Sequence, residues 1–240
     1  MISLVVPAYN EERFLPRLLD SVDVAIAAWR GPRADLEVVV ADNQSTDATP
    51  RIAAERGCRV VATVPRTIAA TRNAGARAAR GDRLAFVDAD ARVHPDTFNE
   101  IARLLDSGRV VGGASGVTMD RWSPGIALTY AMLLPMVWLT GFDTGVTFCR
   151  REDFEAVGGY DEELKFAEDV KFLFELWRRG RRTGRRVIRA RRIKAVYSTR
   201  KFDDHGDWHY FGLLWRGLTH PFGGGRMDEM ADRYWYKPHR

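Results

Sequence analysis

Cysteine is almost absent from this 240-residue chain, which contains only Cys58 and Cys149. Two cysteines 91 positions apart cannot build a disulfide framework, and together with scattered histidines they give no zinc-ligand spacing. Both lie within or beside apolar stretches. We therefore expect buried free thiols and a reducing compartment.

Several common catalytic motifs are also missing. The sequence has no Gly-x-x-x-x-Gly-Lys-Ser/Thr phosphate loop, no Gly-x-Gly-x-x-Gly after the first apolar run and no nucleophile elbow. The first residues have neither a basic lead-in nor a small-residue cleavage site, so they predict a strand rather than a signal peptide. The expected location is the cytoplasm, with a peripheral contact at the inner face of the membrane as an option.

Positive charge is unevenly distributed along the chain. The net charge is +5, and twelve Arg or Lys residues with no acid among them lie between Arg178 and Lys201. The simplest interpretation is a solvated basic face; the alternatives are an anionic membrane, a phosphorylated substrate or nucleic acid. Nucleic acid is disfavoured because the run has no aromatic residue before Ala195.

The first half of the chain alternates apolar runs with segments of helical periodicity. Strands are predicted over Ile2–Ala8, Leu36–Ala41, Arg59–Thr63 and Leu84–Asp88. Strands separated by helices predict an α/β fold with a mostly parallel sheet that helices cover on both faces. Ligands of such sheets bind beyond the carboxyl ends of the strands.

Three polar clusters follow the first, second and fourth predicted strands. They are Pro7–Glu11, Asp42–Asp47 and Asp88–Asp90. Asp88 and Asp90 supply the hard oxygen ligands that Mg²⁺ or Mn²⁺ takes, and such an ion can neutralise a diphosphate leaving group. An acceptor hydroxyl that attacks the donor needs a carboxylate to take its proton. Asp169, in the first turn of a helix predicted over Ala167–Arg179, is the candidate for this general base, and its neighbour Glu168 is a candidate to share or orient the role.

The segment Gly125–Thr140 is unusually apolar. It spans about sixteen residues and contains Pro135, so it is too short and too interrupted to cross a bilayer. Two interpretations remain: a helix packed in the core, or a surface that meets an apolar acceptor or a membrane.

Four groups of residues, in order along the chain, resemble the family 2 glycosyltransferases of the GT-A type. These are Val5–Glu12; Asp42–Asp47; Ala70–Gly75 followed by Ala79–Asp82 and Phe86–Asp90; and Cys149–Arg151 through Gly158–Glu162 to Ala167–Val170. Asp42-Asn43-Gln44 departs from the Asp-Asp-Gly or Asp-Gly-Gly start that is commoner in the family. The resemblance extends over about residues 2–200 and implies a GT-A-like, Rossmann-like fold.

The resemblance also implies roles for individual residues. The nucleoside pocket would be lined by Pro7, Tyr9, Glu11 and Asp42, with Arg72 near the nucleobase or diphosphate. Asp88 would bind ribose or metal, and Asp90 would ligate the metal. Asp169 would be the general base of an inverting single displacement. Arg200 or Lys201 would contact phosphate, in a basic loop that follows a strand. His205 or His209 would be a third metal ligand.

The predicted function is thus transfer of a sugar from a nucleoside-diphosphate sugar to an acceptor hydroxyl or lipid phosphate. The acceptor would be a carbohydrate, a lipid-linked molecule or a small molecule, and oligomeric state is left open. Residues 1–222 would form one catalytic domain, with a donor-binding half to about residue 100 and an acceptor-binding half after it. Residues 223–240 would form a mobile, glycine-rich tail. The alternative is a non-catalytic nucleotide-sugar-binding or membrane-associated scaffold of the same fold.

Overall fold

A computed structural model describes residues 1–64, 67–140, 142–164, 167–208 and 211. The strands are β1 Ile2–Ala8, β2 Leu36–Asp42, β3 Arg59–Ala62, β4 Arg83–Phe86, β5 Ala91–Arg92, β6 Val110–Met119, β7 Thr147–Arg150 and β8 Arg186–Tyr197. The helices are α1 Leu15–Ala27, α2 Thr49–Glu55, α3 Ile68–Ala78, α4 Thr97–Asp106, α5 Pro124–Thr140, α6 Arg151–Ala156, α7 Glu168–Thr183 and α8 Arg200–His205. His209 and the tail predicted at 223–240 lie outside the described residues.

The strands form one eight-stranded sheet in the order β3-β2-β1-β4-β7-β6-β8-β5. The first four strands in this order are parallel to one another, because a helix connects each to the next along the chain. β7 is antiparallel to both β4 and β6, and the short β5 is antiparallel to β8. The predicted α/β class with a mostly parallel sheet is confirmed.

Helices cover both faces of the sheet, as the alternating pattern predicts. On one face α1, α2 and α4 bury side chains such as Leu18 and Phe98 against the strands. On the other face α3, α6 and α7 enclose a second cluster, which includes Phe86 and Phe172. Both clusters are dominated by aliphatic and aromatic side chains, whose removal from water is the main stabilising contribution to a fold of this kind.

The basic run forms the end of α7, β8 and the start of α8, and much of it is ion-paired. Buried Asp153 accepts hydrogen bonds from Arg179 and, at 2.7 Å for each oxygen, from Arg185. Arg189 Nε donates to Asp143 at 2.7 Å. The run is therefore only partly the solvated basic face that we expected. Several of its arginines form ion pairs with Asp153 of α6 or with Asp143. The residues after Tyr197 begin helix α8, where a basic loop was expected.

Among the described residues, no helix has both the length and the apolar character needed to cross a membrane. Cys58 and Cys149 are free thiols; Cys149 is buried and Cys58 is half-buried.

Candidate active site

The three polar clusters lie at one edge of the sheet. In the parallel register Ala8 pairs with Asp42, and Val87 N–H donates to Val5 O, so β1, β2 and β4 end side by side. The clusters that follow these strands are consequently neighbours, as expected for the carboxyl ends of parallel strands.

The loops after β1 and β2 are joined by hydrogen bonds between backbone and side chains. Asn10 N–H donates to Ser45 Oγ at 3.0 Å, and Thr46 N–H donates to Asn10 Oδ1 at 2.8 Å. Asn10 and Gln44 adopt left-handed backbone conformations, with φ of 54° and 61°. Asparagine tolerates this region because its short side chain bonds locally. The two loops form one connected rim.

Four predicted nucleoside-pocket residues lie on or beneath this rim. Tyr9 is exposed, Pro7 is half-buried, and Glu11 and Asp42 are buried. Both carboxylate oxygens of Asp42 accept from Ser45 N–H at 3.3 Å, so Asp42 helps to shape the second loop. The aromatic face of Tyr9 is available to a ligand.

Arg72, on α3, connects the acidic residues of two distant segments. Its Nη2 donates to Asp88 at 2.7 Å, and its Nη1 lies 2.8 Å from Glu168 and 3.0 Å from Asp169. Its side chain is only 5% exposed. A guanidinium with several donors in fixed geometry can hold several carboxylates at once. Arg72 thus contacts both the acid that follows β4 and the two acids that begin α7.

Asp169 has a strongly perturbed environment. Burial raises the pKa of its carboxyl to about 7; the negative charges of Glu168 and Asp88 also raise it, while Arg72 and a hydrogen bond from Tyr160 oppose the shift. A group poised near neutral pH can accept a proton efficiently at that pH. Ala167, just before this pair, is left-handed with φ of 58°, an unusual conformation for a non-glycine residue at a helix start.

Arg200, the first residue of α8, connects the β1 loop with Asp90. Its two terminal nitrogens donate to Glu11 at 2.7 and 2.6 Å, and its Nε lies 3.1 Å from Asp90 Oδ2. The guanidinium also lies 4.8 Å from the centre of the Phe14 ring. Burial raises the pKa of Glu11, and Arg200 opposes this shift.

Two carboxylates, those of Asp88 and Asp90, are available as oxygen ligands for a metal ion. Asp88 and Asp90 provide carboxylate oxygens at the strand edge, 37% and 12% exposed. Within the part of the chain that the structure describes, no group of three or more His, Cys, Asp or Glu residues is arranged to hold a metal ion. Mg²⁺ is commonly bound through one or two carboxylates together with substrate phosphates, so Asp88 and Asp90 fit such an ion if a diphosphate completes its shell. His205 is exposed at the end of α8.

Two site residues had no role in the sequence analysis. Tyr160 is buried with its ring 5.2 Å from the Arg72 guanidinium, and its hydroxyl is 2.9 Å from Thr147 Oγ1. Asn73 holds it in place: Asn73 Nδ2 donates to Tyr160 O at 2.8 Å and Oδ1 accepts from Tyr160 N–H at 2.9 Å. Both residues belong to motifs that carry the family resemblance, which was the available signal.

Comparison with known proteins identifies the family. The model of "Glycosyl transferase family 2" matches residues 3–154. The chain belongs to this family. The uncharacterized glycosyltransferase EpsJ of Bacillus subtilis is 26% identical over 207 residues, which cover 76% of this chain and 57% of EpsJ. This chain is also 37% identical to an undecaprenyl-phosphate 4-deoxy-4-formamido-L-arabinose transferase of Pseudomonas paraeruginosa. The match extends over 118 residues, which cover 44% of this chain and 32% of that relative. The chain thus spans less than two thirds of these relatives.

Solved structures confirm the GT-A-like fold. A mannosyltransferase of Pyrobaculum calidifontis, in complex with GDP-Man and Mn²⁺, matches with a TM-score of 0.63 and 22% identity, covering 90% of this chain and 64% of that protein. This family member therefore combines a GT-A fold with an acidic strand edge and a carboxylate pair at the start of α7.

Proposed function

We propose that this chain is an inverting glycosyltransferase that moves a sugar from a nucleoside-diphosphate sugar to an acceptor hydroxyl or lipid phosphate. The observation that carries the proposal is the contact of buried Arg72 with Asp88 on one side and Glu168 and Asp169 on the other. Through Arg72, Asp88, which would face the donor, lies near Asp169, whose pKa burial raises to about 7. This arrangement suits a reaction in which a leaving group departs while a proton is taken up nearby.

The donor would bind along the rim made by the β1 and β2 loops. Tyr9, whose side chain is exposed, would meet the nucleobase, and Pro7, Glu11 and Asp42 would form the adjoining wall. Arg200, which pairs with Glu11 and lies near Asp90, would meet the diphosphate through its guanidinium, which suits phosphate geometry. Asp90 and Asp88 would hold Mg²⁺ or Mn²⁺, which would neutralise charge on the departing diphosphate.

The chemical step would be a single displacement at the anomeric carbon. As the acceptor oxygen forms its bond to that carbon, the bond to the diphosphate oxygen breaks on the opposite face, and the diphosphate leaves with the electron pair. The Asp169 carboxylate takes the acceptor proton. Arg72, which also pairs with Glu168, would hold Asp169 in position, and a hydrogen bond from Tyr160 would favour its carboxylate form.

The decisive variant is Asp169→Asn, which keeps the shape of the side chain and removes its ability to accept a proton. With the full chain and a panel of UDP- and GDP-sugars, we expect release of nucleoside diphosphate to fall by about 10²- to 10⁴-fold. Donor affinity, measured by calorimetry, should stay close to that of the parent. The matched control is Asp106→Asn, an exposed acid of α4 paired with Arg83.

Two results would contradict parts of this proposal. Turnover retained in Asp169→Asn would remove Asp169 as the base. A parent chain that binds a nucleotide sugar tightly but releases no nucleoside diphosphate with any acceptor class would favour the alternative, a non-catalytic binding scaffold.

A further inference from the structure

Arg200 lies between two acids that come from different segments of the chain. Its Nη1 and Nη2 donate to the two carboxylate oxygens of Glu11 at 2.7 and 2.6 Å, and its Nε lies 3.1 Å from Asp90 Oδ2. The side chains of Arg200, Glu11 and Asp90 are 29%, 11% and 12% exposed. All three guanidinium nitrogens thus face carboxylates in a largely buried setting, where water screens charge poorly.

Hydrogen bonds fix the backbone next to this contact. Thr199, which precedes Arg200, donates from its N–H and its Oγ1 to Asp120 Oδ1 at 3.0 and 2.8 Å. Ser198 N–H donates to Asp90 O at 3.3 Å, which joins the segment after β8 to the acid itself. The approach of Arg200 to Asp90 is therefore built into the fold and is not the pose of a long side chain on a free loop.

Each acid of the candidate site contacts either Arg72 or Arg200. These acids are Glu11, Asp88, Asp90, Glu168 and Asp169. Arg200 is the arginine that contacts Asp90, the proposed metal ligand. A divalent cation bound by Asp90 would bring a second positive centre to a carboxylate that the guanidinium already contacts. Like charges this close repel one another strongly where little water lies between them. The cation and Arg200 would therefore oppose each other at Asp90.

We propose that Arg200 competes with the divalent cation for Asp90 and releases Asp90 when a diphosphate binds. This inference rests on the proposed function, in which the same site takes a nucleoside-diphosphate sugar. A diphosphate relieves the conflict because it offers anionic oxygens to both groups. A guanidinium pairs with phosphate through two parallel N–H donors, and Mg²⁺ combines one or two carboxylates with phosphate oxygens.

Binding of the cation and binding of the diphosphate are consequently coupled through Arg200. When no diphosphate is bound, the guanidinium offsets the charge of Asp90, and the cation binds weakly. A bound diphosphate gives the guanidinium another acceptor, and Asp90 can then hold the cation. By linkage, the diphosphate strengthens cation binding by the same factor as the cation strengthens diphosphate binding. The chain therefore takes up metal mainly together with its donor.

The test is a titration of the full chain with Mn²⁺ alone, in which electron paramagnetic resonance measures free Mn²⁺. Arg200→Gln removes the guanidinium charge, so this variant should bind Mn²⁺ about tenfold more tightly than the parent, a factor typical of coupling between sites. The titration is repeated with saturating UDP or GDP, whichever binds the parent. The gain in Mn²⁺ affinity that the nucleotide causes should be about tenfold smaller in Arg200→Gln than in the parent.

Two further variants distinguish competition from a loosened α8. Arg200→Lys keeps the positive charge and should bind Mn²⁺ alone as weakly as the parent does. Glu11→Gln removes the other acid that Arg200 contacts, so the guanidinium should hold Asp90 more firmly and Mn²⁺ alone should bind several-fold more weakly. A loosened α8 would change Mn²⁺ affinity in the same direction in all three variants. The matched control is Arg17→Gln, which removes an equal charge from a 51% exposed side chain 4.0 Å from Asp120 and should titrate as the parent does.

Unchanged or weaker binding of Mn²⁺ in Arg200→Gln would overturn the inference, and so would tighter binding in Glu11→Gln or an absence of Mn²⁺ binding in every chain. Unfolding temperatures show whether each variant is folded; if Arg200→Gln is not, Arg200→Met takes its place. Release of nucleoside diphosphate by the parent tests the proposed function separately. Turnover by the parent, with no gain of Mn²⁺ affinity in Arg200→Gln, would uphold the transfer reaction and reject the competition. An inactive parent whose Arg200→Gln variant gains Mn²⁺ affinity would do the reverse.

Discussion

At the scale of single residues, the most consequential group is Arg72. It is a buried cation among three carboxylates, and its Nε has no hydrogen-bond partner among the described residues. A guanidinium stays charged even when buried, so it can hold acids that would otherwise repel one another. The balance between Arg72 and the acids around it sets how readily Asp169 gives up and takes a proton.

This balance predicts the pH dependence of turnover. Asp169, the proposed base, must be ionised to accept a proton, so we expect the rate to rise as pH increases through about 7. Glu168→Gln removes a negative charge that raises the pKa of Asp169, and the rising limb should move to lower pH. Tyr160→Phe removes a hydrogen bond that favours the carboxylate, and the limb should move to higher pH.

The measurement is a pH–rate profile of kcat under donor saturation. Glu175→Gln, on the same helix and paired with Arg178, is the matched control and should leave the limb where it is. Shifts of Glu168→Gln and Tyr160→Phe in the same direction would show that the limb belongs to another group.

At the scale of secondary-structure elements, the close packing of β6 against β8 is the least tolerant feature. A Cβ on Gly113 would lie 2.0 Å from the backbone oxygen of Ile188. Backbone atoms cannot move aside as a flexible side chain can. β6 and β8 lead to Asp120 and Thr199, which hold the start of α8, so this packing also fixes where Arg200 emerges.

Gly113→Ala is therefore expected to lower the free energy of unfolding by about 3 kcal/mol, the upper end of what overpacking in a tight interior costs. Gly116→Ala, on the same strand, is the control: its Cβ would meet Lys194 Cγ at 3.2 Å, and a lysine side chain can shift. Denaturant titration followed by circular dichroism measures both. Equal losses in the two variants would show that glycine flexibility, rather than the Ile188 contact, is responsible.

At the scale of the whole molecule, a few ion pairs join residues that are far apart in sequence. Arg200 and Glu11 are 189 positions apart, and Arg72 and Glu168 are 96 apart. These pairs connect α3 to α7, and the loop after β1 to α8, across the candidate site. A ligand that binds there should stabilise the native state as a unit, because it binds the folded chain and not the unfolded one.

We therefore expect a nucleoside diphosphate with Mn²⁺ to raise the unfolding temperature, with a stabilisation of about 2.7 kcal/mol when the ligand exceeds its Kd a hundredfold. The increment that depends on Mn²⁺ should disappear in Asp90→Asn. It should persist in Asp96→Asn, a half-buried acid 3.6 Å from Arg30 that serves as the control. Differential scanning fluorimetry gives the unfolding temperatures of the parent and both variants with and without Mn²⁺. An unchanged Mn²⁺ increment in Asp90→Asn would remove Asp90 as a metal ligand.

Local patterns in the sequence predicted much of the fold and part of the site. The apolar runs of β1, β2 and β4, and the helical spacing of α1, depend on residues within a few positions of one another, so they can be recognised without tertiary contacts. The placement of Asp88 and Asp90 at a strand end follows from the same patterns. Most of strand β8 was not predicted, because its arginines interrupt the alternation of apolar and polar residues that indicates a strand.

The sequence alone determined the alternation of strands and helices, the family motifs and the acids that follow the strands. Tertiary structure decided what those acids touch: Arg72 draws Asp88 to Glu168 and Asp169, and Arg200 joins Glu11 to Asp90. It also decided that, among the described side chains of α5, Ile126 and Thr129 are buried whereas Leu128 is exposed. The physical reason is range: propensity and periodicity act between neighbours along the chain, whereas a buried ion pair or an exposed face depends on which distant segments the sheet brings together.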